Sequence, residues 1–368
     1  MLIVAIGFAT DLEWYELGGE MVTVLEKRYN ENTGDIANGE GYLAHKVTLA
    51  EVEAAAQRIA PFAVRTPLLH RTALDAHTGC TAFLKPECLQ RTGSFKFRGA
   101  FNRLSQLDAA QRAAGVVAFS SGNHAQGVAA AAQLLQMPAT IVMPRDAPAI
   151  KRDKTRGYGA EVILYDRYSE SREEIAARLA AERGAVLVPA YDDVDIIAGQ
   201  GTAGLEIAQQ AQAMEVTLDA VLVCCGGGGL SAGIGVALGA LSPQTELFVV
   251  EPAGFDDYTR SLAAGEILPN DPDARSICDA LLAPQPGDIT FALNRERLAG
   301  GLVVTDDQAR QAMRFAFSHL KLVLEPGGAV ALAALLTQSE RFAGKNVGAV
   351  LSGGNVSPEL FVEVVRGD

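Results

Sequence analysis

Hydrophobic and polar positions follow two patterns along this chain: short apolar runs, and longer segments in which apolar residues recur every three or four positions. From residue 81 onward, short apolar runs are followed by segments with helical spacing, and the alternation is repeated to the C-terminal region. Strands and helices that alternate in this way form parallel sheets with helices on both faces, joined by right-handed crossovers. The pattern therefore predicts an α/β protein.

The same pattern locates the individual elements. The first helix begins at Thr48, where Glu51 completes a capping box, and it ends before Pro61. The apolar runs predict strands at 81–85, 115–119, 139–143, 161–165, 185–188, 220–225, 246–250 and 347–351. Helical spacing predicts helices at 100–107, 125–135, 150–156, 169–182, 202–214, 230–241, 306–319 and 328–336, with a short final helix. The proline-rich region 270–301 has no clear period, so we expect irregular surface structure there.

Residues 1–46 differ from the rest of the chain. The apolar run 2–9 is too short to cross a bilayer, and it lacks the basic leader of a signal peptide. The segment 26–40 is polar and rich in asparagine and glycine. We expect residues 1–46 to be an N-terminal extension that is poorly ordered or loosely docked.

Composition narrows the class of protein. A chain of 368 residues, 49% hydrophobic and 20% charged, is long enough for two globular domains. Its net charge of −13 would repel phosphate backbones and anionic membranes, so we expect neither nucleic acid nor a membrane as partner. The five cysteines form no metal-ligand pattern, which favours reduced thiols in the cytoplasm.

The segment 92–100, TGSFKFRGA, places Lys96 in a short apolar frame between glycine and hydroxyl residues. Phe95 and Phe97 should desolvate the ammonium group and Arg98 should add a like charge, so we expect a lowered lysine pKa. A neutral amine is a nucleophile that can form a Schiff base. The alternative is an ordinary surface lysine beside two core aromatic residues.

Two further segments stand at the ends of predicted strands. The glycines Gly226, Gly227, Gly228 and Gly229 lie between an apolar strand and a helix, where bare backbone amides can bind a phosphate group. A flexible turn is the simpler alternative. Ser352 ends the last apolar strand beside two glycines, where its hydroxyl could meet a ring nitrogen or merely form a turn.

Two polar clusters complete the set of candidates. The loop Ser120, Ser121, Gly122, Asn123 and His124 also joins a strand to a helix, and helix capping alone would explain it. Glu251, Asp256 and Asp257 follow the strand that ends at Val250. Carboxylates at this spacing could hold magnesium or calcium, although acidic loops are usually just solvated.

Residues 94–100, SFKFRGA, resemble the cofactor-lysine motif of the pyridoxal-phosphate enzymes of the threonine dehydratase and serine racemase family. That family has the fold type II, tryptophan-synthase-β-like architecture, and the similarity runs from about residue 48 to near the C-terminus. The resemblance implies two parallel-sheet α/β domains with the cofactor in the cleft between them. It implies a large cofactor-binding domain at 47–93 and 191–368, a small domain at 94–190, and a homodimer or homotetramer.

The resemblance also assigns roles to the candidate residues. Lys96 would carry pyridoxal 5′-phosphate next to Phe95, and the glycines 226–229 would bind its phosphate. Asn123 would contact the pyridine 3-oxygen and Ser352 the ring nitrogen. The loop 120–124 would bind the substrate carboxylate, with His124 structural. In racemases of the family, the serine that matches Ser121 exchanges the Cα proton on the face opposite the lysine.

The resemblance further implies a cation site and a reaction. Magnesium or calcium would be bound by Glu251, Asp257 and the carbonyl oxygen of Phe255, away from the reacting atoms. The reaction would be β-elimination from a small β-hydroxy amino acid, giving a 2-oxo acid and ammonia. L-Threonine and L-serine are the expected substrates, and 3-hydroxyaspartate, phenylserine or hydroxyectoine-derived amino acids are alternatives. A serine racemase, or a cofactor-binding regulator without turnover, would share the same motifs.

Overall fold

The computed structural model describes residues 47–367 and four short strands in the preceding segment. In that segment, β1 (Trp14–Leu17) pairs antiparallel with β2 (Glu20–Thr23), and β3 (Lys27–Tyr29) pairs antiparallel with β4 (Ile36–Asn38). Residues 1–46 and 47–368 are separate compact units. The expected poor order of residues 1–46 falls mostly outside the described residues and stays a prediction.

The second unit contains ten strands in two sheets. The strands are β5 (Leu69–His70), β6 (Thr81–Pro86), β7 (Val116–Phe119), β8 (Ala139–Pro144), β9 (Glu161–Tyr165), β10 (Val186–Leu187), β11 (Ala220–Cys224), β12 (Glu246–Pro252), β13 (Leu298–Val304) and β14 (Asn346–Leu351). The larger sheet has the order β13-β12-β11-β14-β6-β5, and the smaller has the order β10-β7-β8-β9. Every pair is parallel except the edge strand β5.

The helices cover these sheets. They are α1 (Leu49–Ile59), α2 (Thr72–Thr78), α3 (Lys96–Ser105), α4 (Ala109–Ala114), α5 (Asn123–Leu134), α6 (Ala149–Gly157), α7 (Arg172–Arg183), α8 (Val194–Ala213), α9 (Gly229–Leu241), α10 (Asp257–Ala264), α11 (Asp288–Arg297), α12 (Asp306–Phe315), α13 (Pro326–Thr337) and α14 (Pro358–Arg366). In residues 47–367 no helix is long and apolar enough to cross a membrane.

The continuous apolar runs become strands because both faces of each sheet are covered. All five residues of β11 are buried, and so are all six of β8. A strand buried on both faces needs no polar alternation, which is why these runs read as uninterrupted apolar stretches. The α/β fold with parallel sheets expected from the sequence is confirmed.

Several features differ from the sequence prediction, which did not locate the short helices α2, α4 and α10. The region 270–301 is not irregular throughout, because α11 and the start of β13 occupy its second half. The prolines Pro272, Pro284 and Pro286 all precede α11, so they interrupt only the first half. Helix α8 also begins eight residues earlier than predicted, where Asp193 caps it by accepting hydrogen bonds from the amides of Asp195 and Ile196.

The sheets follow the domain boundaries expected from the sequence. All strands of the smaller sheet lie between residues 94 and 190, and all strands of the larger sheet lie outside that range. Residues 47–368 nevertheless form one compact unit. The boundaries 47–93, 94–190 and 191–368 therefore stay a prediction.

Candidate active site

Lys96 is the first residue of α3, directly after the loop that leaves β6. Its Nζ donates a hydrogen bond to the carbonyl oxygen of Ala190 at 2.6 Å and lies 5.2 Å from the centroid of the Phe95 ring. Burial lowers the pKa of Lys96 to about 8. The lysine is therefore much closer to its neutral, nucleophilic form at physiological pH than a solvated lysine would be.

Arg98 does not contribute to this shift, contrary to the sequence-based expectation. One helical position beyond Phe97, its side chain turns away from Lys96 into a fully buried ion pair. Its Nε donates to Glu87 at 2.8 Å, and its Nη1 donates to Glu206 at 2.8 Å. Lys85 also donates to Glu206, at 2.6 Å. We call these four residues the Arg98 network; it attaches the start of α3 to β6 and α8.

The glycine loop joins β11 to α9, as the sequence predicts. Gly228 has φ +89°, and a Cβ atom there would lie 1.8 Å from the Tyr258 hydroxyl oxygen. A Cβ atom on Gly227 would lie 2.4 Å from the Tyr191 ring. Across residues 47–367, the amides of Gly226, Gly227 and Gly228 donate to no backbone or side-chain acceptor. The loop thus offers free amides at a helix N-terminus, which suits an anionic group such as phosphate.

Ser352 lies beside the lysine loop. Its carbonyl oxygen accepts a hydrogen bond from the Phe95 amide at 3.2 Å, and its neighbour Gly353 forms an isolated bridge with Ser94. The Ser94 hydroxyl is buried and has no hydrogen-bond partner within the described part of the chain. A buried, unpaired hydroxyl next to Lys96 fits a polar group that completes this site.

The loop 120–124 leads from β7 into α5, and its His124 lies close enough to Lys96 to feel the lysine charge. The Gly122 amide donates to the Ser120 hydroxyl at 3.1 Å. His124 is buried and its Nε2 lies 3.0 Å from the Val188 carbonyl oxygen. Burial, reinforced by the nearby Lys96 charge, lowers the pKa of His124 to about 3. A histidine that stays neutral and is bonded to the backbone suits a structural role better than acid–base catalysis.

Ser121 opens into a cavity of about 360 Å³ that sequence reasoning did not anticipate. Its walls come from the ends of β8 and β9 with the loops after them, the starts of α6 and α7, the segment 276–282, the loop before α13 and the residues after β14, and they include Lys151, Arg167, Arg172, Asp279, Glu325 and Asn355. These residues lie far apart in sequence and form no motif. The one available signal was the pair of arginines, Arg167 and Arg172, shortly after a predicted strand end.

The acidic segment adopts a different arrangement from the one expected for a cation site. The two carboxylate oxygens of Glu251 accept hydrogen bonds from the amides of Tyr258 and Thr259, each at 2.8 Å, and so cap α10. Asp257 Oδ1 accepts from the Asn270 amide group at 2.6 Å. Phe255 is buried beside them. Within the described ranges, no group of three or more acidic, histidine or cysteine side chains could hold a metal.

Comparisons with known proteins agree with this geometry. Residues 59–353 match the family described as pyridoxal-phosphate dependent enzyme. An L-threo-3-hydroxyaspartate ammonia-lyase of Pseudomonas sp is 49% identical over 86% of this chain and 98% of its own length. A serine racemase of Schizosaccharomyces pombe is 40% identical over 85% of this chain and 96% of its own length. The crystal structure of a T.th. threonine deaminase matches with a TM-score of 0.80 and 46% identity, over 84% of this chain and 99% of that one.

Proposed function

The chain belongs to the family of pyridoxal-phosphate-dependent enzymes, with the fold type II architecture, and from this premise we propose that it is a 3-hydroxyaspartate ammonia-lyase. The reaction removes the β-hydroxyl group as water and releases ammonia after hydrolysis, so the organic product is oxaloacetate. This proposal replaces L-threonine and L-serine, the substrates expected from the sequence, with one of their alternatives.

Four segments would hold the cofactor. Lys96 would bind its aldehyde next to Phe95, the amides of 226–229 its phosphate, Asn123 its ring oxygen and Ser352 its ring nitrogen. The free amides of the glycine loop and the unpaired Ser94 hydroxyl support this placement. When bound, pyridoxal phosphate supplies an electron sink that stabilises negative charge at the substrate Cα.

The protein's own residues then carry the proton transfers and the orientation. Lys96 is the base for the Cα proton, since burial favours its neutral amine. The loop 120–124 binds the α-carboxylate with its hydroxyl groups and amides. The ring of Tyr191 lies against Gly227, its backbone lies against Gly229, and the residue closes that side of the site.

The position of the Arg172 side chain is the observation that favours a dicarboxylate substrate. Its guanidinium lies 5.2 Å from the centroid of the Phe119 ring, and Phe119 directly precedes Ser120 at the end of β7. Arg172 lines the same cavity as Ser121. Its ion pair in residues 47–367 is with its neighbour Glu173, whose side chain is 48% exposed. A substrate carboxylate can therefore replace that weak surface partner.

The side chain of threonine would not use this arginine, since it offers a methyl group where 3-hydroxyaspartate offers a second carboxylate. A hydrogen bond to a charged group contributes about 1.5–3 kcal/mol, which corresponds to roughly ten- to a hundredfold in rate or affinity. The 49% identity to a protein named L-threo-3-hydroxyaspartate ammonia-lyase supports the same choice.

A panel of L-β-hydroxy amino acids tests the proposal. The purified protein, loaded with pyridoxal phosphate, should release 2-oxo acid from 3-hydroxyaspartate with a kcat/KM at least about tenfold above those for L-threonine and L-serine. Phenylserine serves as a bulky substrate without a second carboxylate. Higher kcat/KM for L-threonine than for 3-hydroxyaspartate would overturn the substrate assignment and leave the lyase class standing.

Serine racemisation is the second candidate function, and the position of Ser121 in the cavity favours it. Elimination from an L-substrate needs a base on one face only, whereas racemisation also needs a proton delivered to the other face. Ser121→Ala should therefore abolish formation of D-serine while appreciable elimination from L-substrates persists. Equal loss of both reactions, with substrate binding intact, would show that the hydroxyl acts in their common step.

A magnesium or calcium ion at Glu251, Asp257 and the Phe255 carbonyl is a further part of the proposal. Its support is Asp257 Oδ2, which is buried and lacks a hydrogen-bond partner in the described ranges. Removal of the ion by a chelator should lower the melting temperature, and added magnesium or calcium should restore it. An unchanged melting temperature in chelator would reject the ion.

The remaining expectations concern the cellular compartment of the enzyme, the class of its ligand and its oligomeric state. All five cysteines are free, which supports a reducing compartment such as the cytoplasm. The negative net charge of −13 would repel the phosphate backbone of nucleic acid, which supports a small-molecule substrate. We propose a homodimer or homotetramer, which light scattering on a size-exclusion column would measure directly.

A further inference from the structure

A buried polar chain crosses from the smaller sheet's helices to the larger sheet's loops beside the candidate site. It begins at Lys151 on α6, whose Nζ lies 2.6 Å from Asp279 Oδ2 and 3.6 Å from Glu325 Oε2. The lysine side chain passes over the loop 120–124, since a Cβ atom on Gly122 would lie 2.8 Å from Lys151 Cδ. No step of the proposed reaction uses Lys151 or Glu325.

The chain continues from Glu325 to Asn123. The Asn123 Nδ2 donates to Glu325 Oε1 at 2.5 Å, while its Oδ1 accepts from Asn355 Nδ2 at 2.8 Å. Asn355 Nδ2 also donates to the Thr92 carbonyl oxygen at 2.8 Å, and Asn355 Oδ1 accepts from Lys154 at 3.2 Å. An ionised carboxylate can only accept hydrogen bonds, so Glu325 fixes which end of the Asn123 amide faces it.

Glu325 also touches the loops around Lys96. A Cβ atom on Gly353 would lie 2.1 Å from Glu325 Oε1 and 3.2 Å from the Ser94 Cβ. The carboxylate is therefore packed against the backbone that connects Ser352 to the lysine loop. The carboxylate charge therefore lies inside the site and not at its rim. Solvent screens a charge poorly in such a buried position.

The charged and titratable groups that face Glu325 come from several elements. Lys151 lies on α6, Asp279 on the short turn before α11, and the Cys88 thiol on the loop after β6. Burial raises the pKa of Glu325, and the positive charge of Lys151 opposes that rise. Lys154, one turn beyond Lys151, adds a second positive charge at the Asn355 end.

We propose that Lys151 and Glu325 are positioning residues that hold Asn123 in one amide orientation and set the charge felt by the ring of the bound cofactor. This inference rests on the proposed function only in requiring that pyridoxal phosphate binds at Lys96. The Glu325 carboxylate keeps the Asn123 amide group turned toward it, and the Lys151 ammonium group lies 3.6 Å from the same carboxylate. The two residues thus act on the site through opposite charges.

Opposite charges give a signature that loss of packing cannot produce. The readout is the ratio of two absorption bands of the bound cofactor. The near-ultraviolet band reports the form in which the nitrogen that links the cofactor to Lys96 is unprotonated, and the visible band reports the form in which it is protonated. Glu325→Gln removes a negative charge and should shift this ratio about tenfold toward the unprotonated form. Lys151→Met leaves two carboxylates uncompensated and should shift the ratio by a similar factor toward the protonated form.

Matched variants complete the experiment. Lys151→Arg should restore the wild-type ratio, and Lys345→Met, which removes a half-exposed lysine paired with Glu246, should leave it unchanged. If Lys151→Met does not fold, Lys154→Met removes a positive charge from the same chain and should shift the ratio in the same direction.

Two results would overturn the inference: an unchanged ratio in both Glu325→Gln and Lys151→Met, or a shift in the same direction in both. Failure of the proposed function looks different, because wild-type protein would then show no cofactor band linked to Lys96, or no ammonia release from any β-hydroxy amino acid.

Discussion

Two arginines on opposite sides of the candidate site, Arg98 and Arg172, differ in how firmly they are held. Behind Lys96, the side chains of Arg98 and Glu87 are both fully buried and paired. On the cavity side, Arg172 is 35% exposed and pairs with its exposed neighbour Glu173. We propose that this difference separates two tasks: a rigid side, formed by Arg98 and Glu87, that positions Lys96, and an adaptable side on which Arg172 selects the substrate.

The largest effect is expected for Lys96 itself. Lys96→Ala removes both the covalent attachment and the base, so kcat/KM should fall by about 10⁴-fold or more. Borohydride reduction of the wild-type protein, followed by peptide mapping, should locate the cofactor on Lys96. Label on a different lysine would contradict the assignment, and Lys345→Ala serves as the control that retains labelling.

Arg98 should show the next largest effect, on stability rather than chemistry. Arg98→Met leaves the buried Glu87 carboxylate without its partner, which should lower the free energy of unfolding by about 3–5 kcal/mol. The matched control is Arg310→Met, which breaks a partly exposed pair with Glu363 and should cost at most about 1 kcal/mol. The free energy of unfolding is measured in urea. Equal decreases in the two variants would show that the Arg98–Glu87 pair stabilises the fold no more than a partly exposed pair does.

A smaller effect is expected from pH on the cofactor-free protein. Burial lowers the pKa of Lys96 from 10.5 to about 8, and only the neutral amine attacks an aldehyde. The rate of covalent reloading with pyridoxal phosphate should therefore rise through a midpoint near that lower value. Stopped-flow absorbance measures the rate, and a midpoint near that of a solvated lysine would contradict a desolvated site.

The positions of Lys96 and of the glycine loop could be predicted from the sequence because their signals are local. Lys96 lies in a motif at the start of a helix, the glycines 226–229 stand between a strand end and a helix start, and the fold retains both placements. The expected contribution of Arg98 to the Lys96 pKa was wrong, since a pattern of charges does not reveal which way a side chain turns.

The cavity side could not be predicted in the same way. Lys151, Arg172, Glu325 and Asn355 lie on separate elements that meet only after the two sheets have formed. The cation site stays a prediction: the family resemblance assigned Glu251 to it, and the sequence did not reveal that the start of α10 brings two backbone amides to the Glu251 carboxylate. Helix α11 was not predicted because the prolines just before it interrupt the periodic spacing of apolar residues from which a helix start is recognised.

The central claim is that Arg172 makes this site selective for a second carboxylate, and one measurement tests it most directly. The kcat/KM for 3-hydroxyaspartate and for L-serine should be determined in wild-type protein and in Arg172→Met. The account predicts that the variant loses about ten- to a hundredfold for 3-hydroxyaspartate and no more than about twofold for L-serine. An equal loss for both substrates, or no loss for 3-hydroxyaspartate, would contradict it.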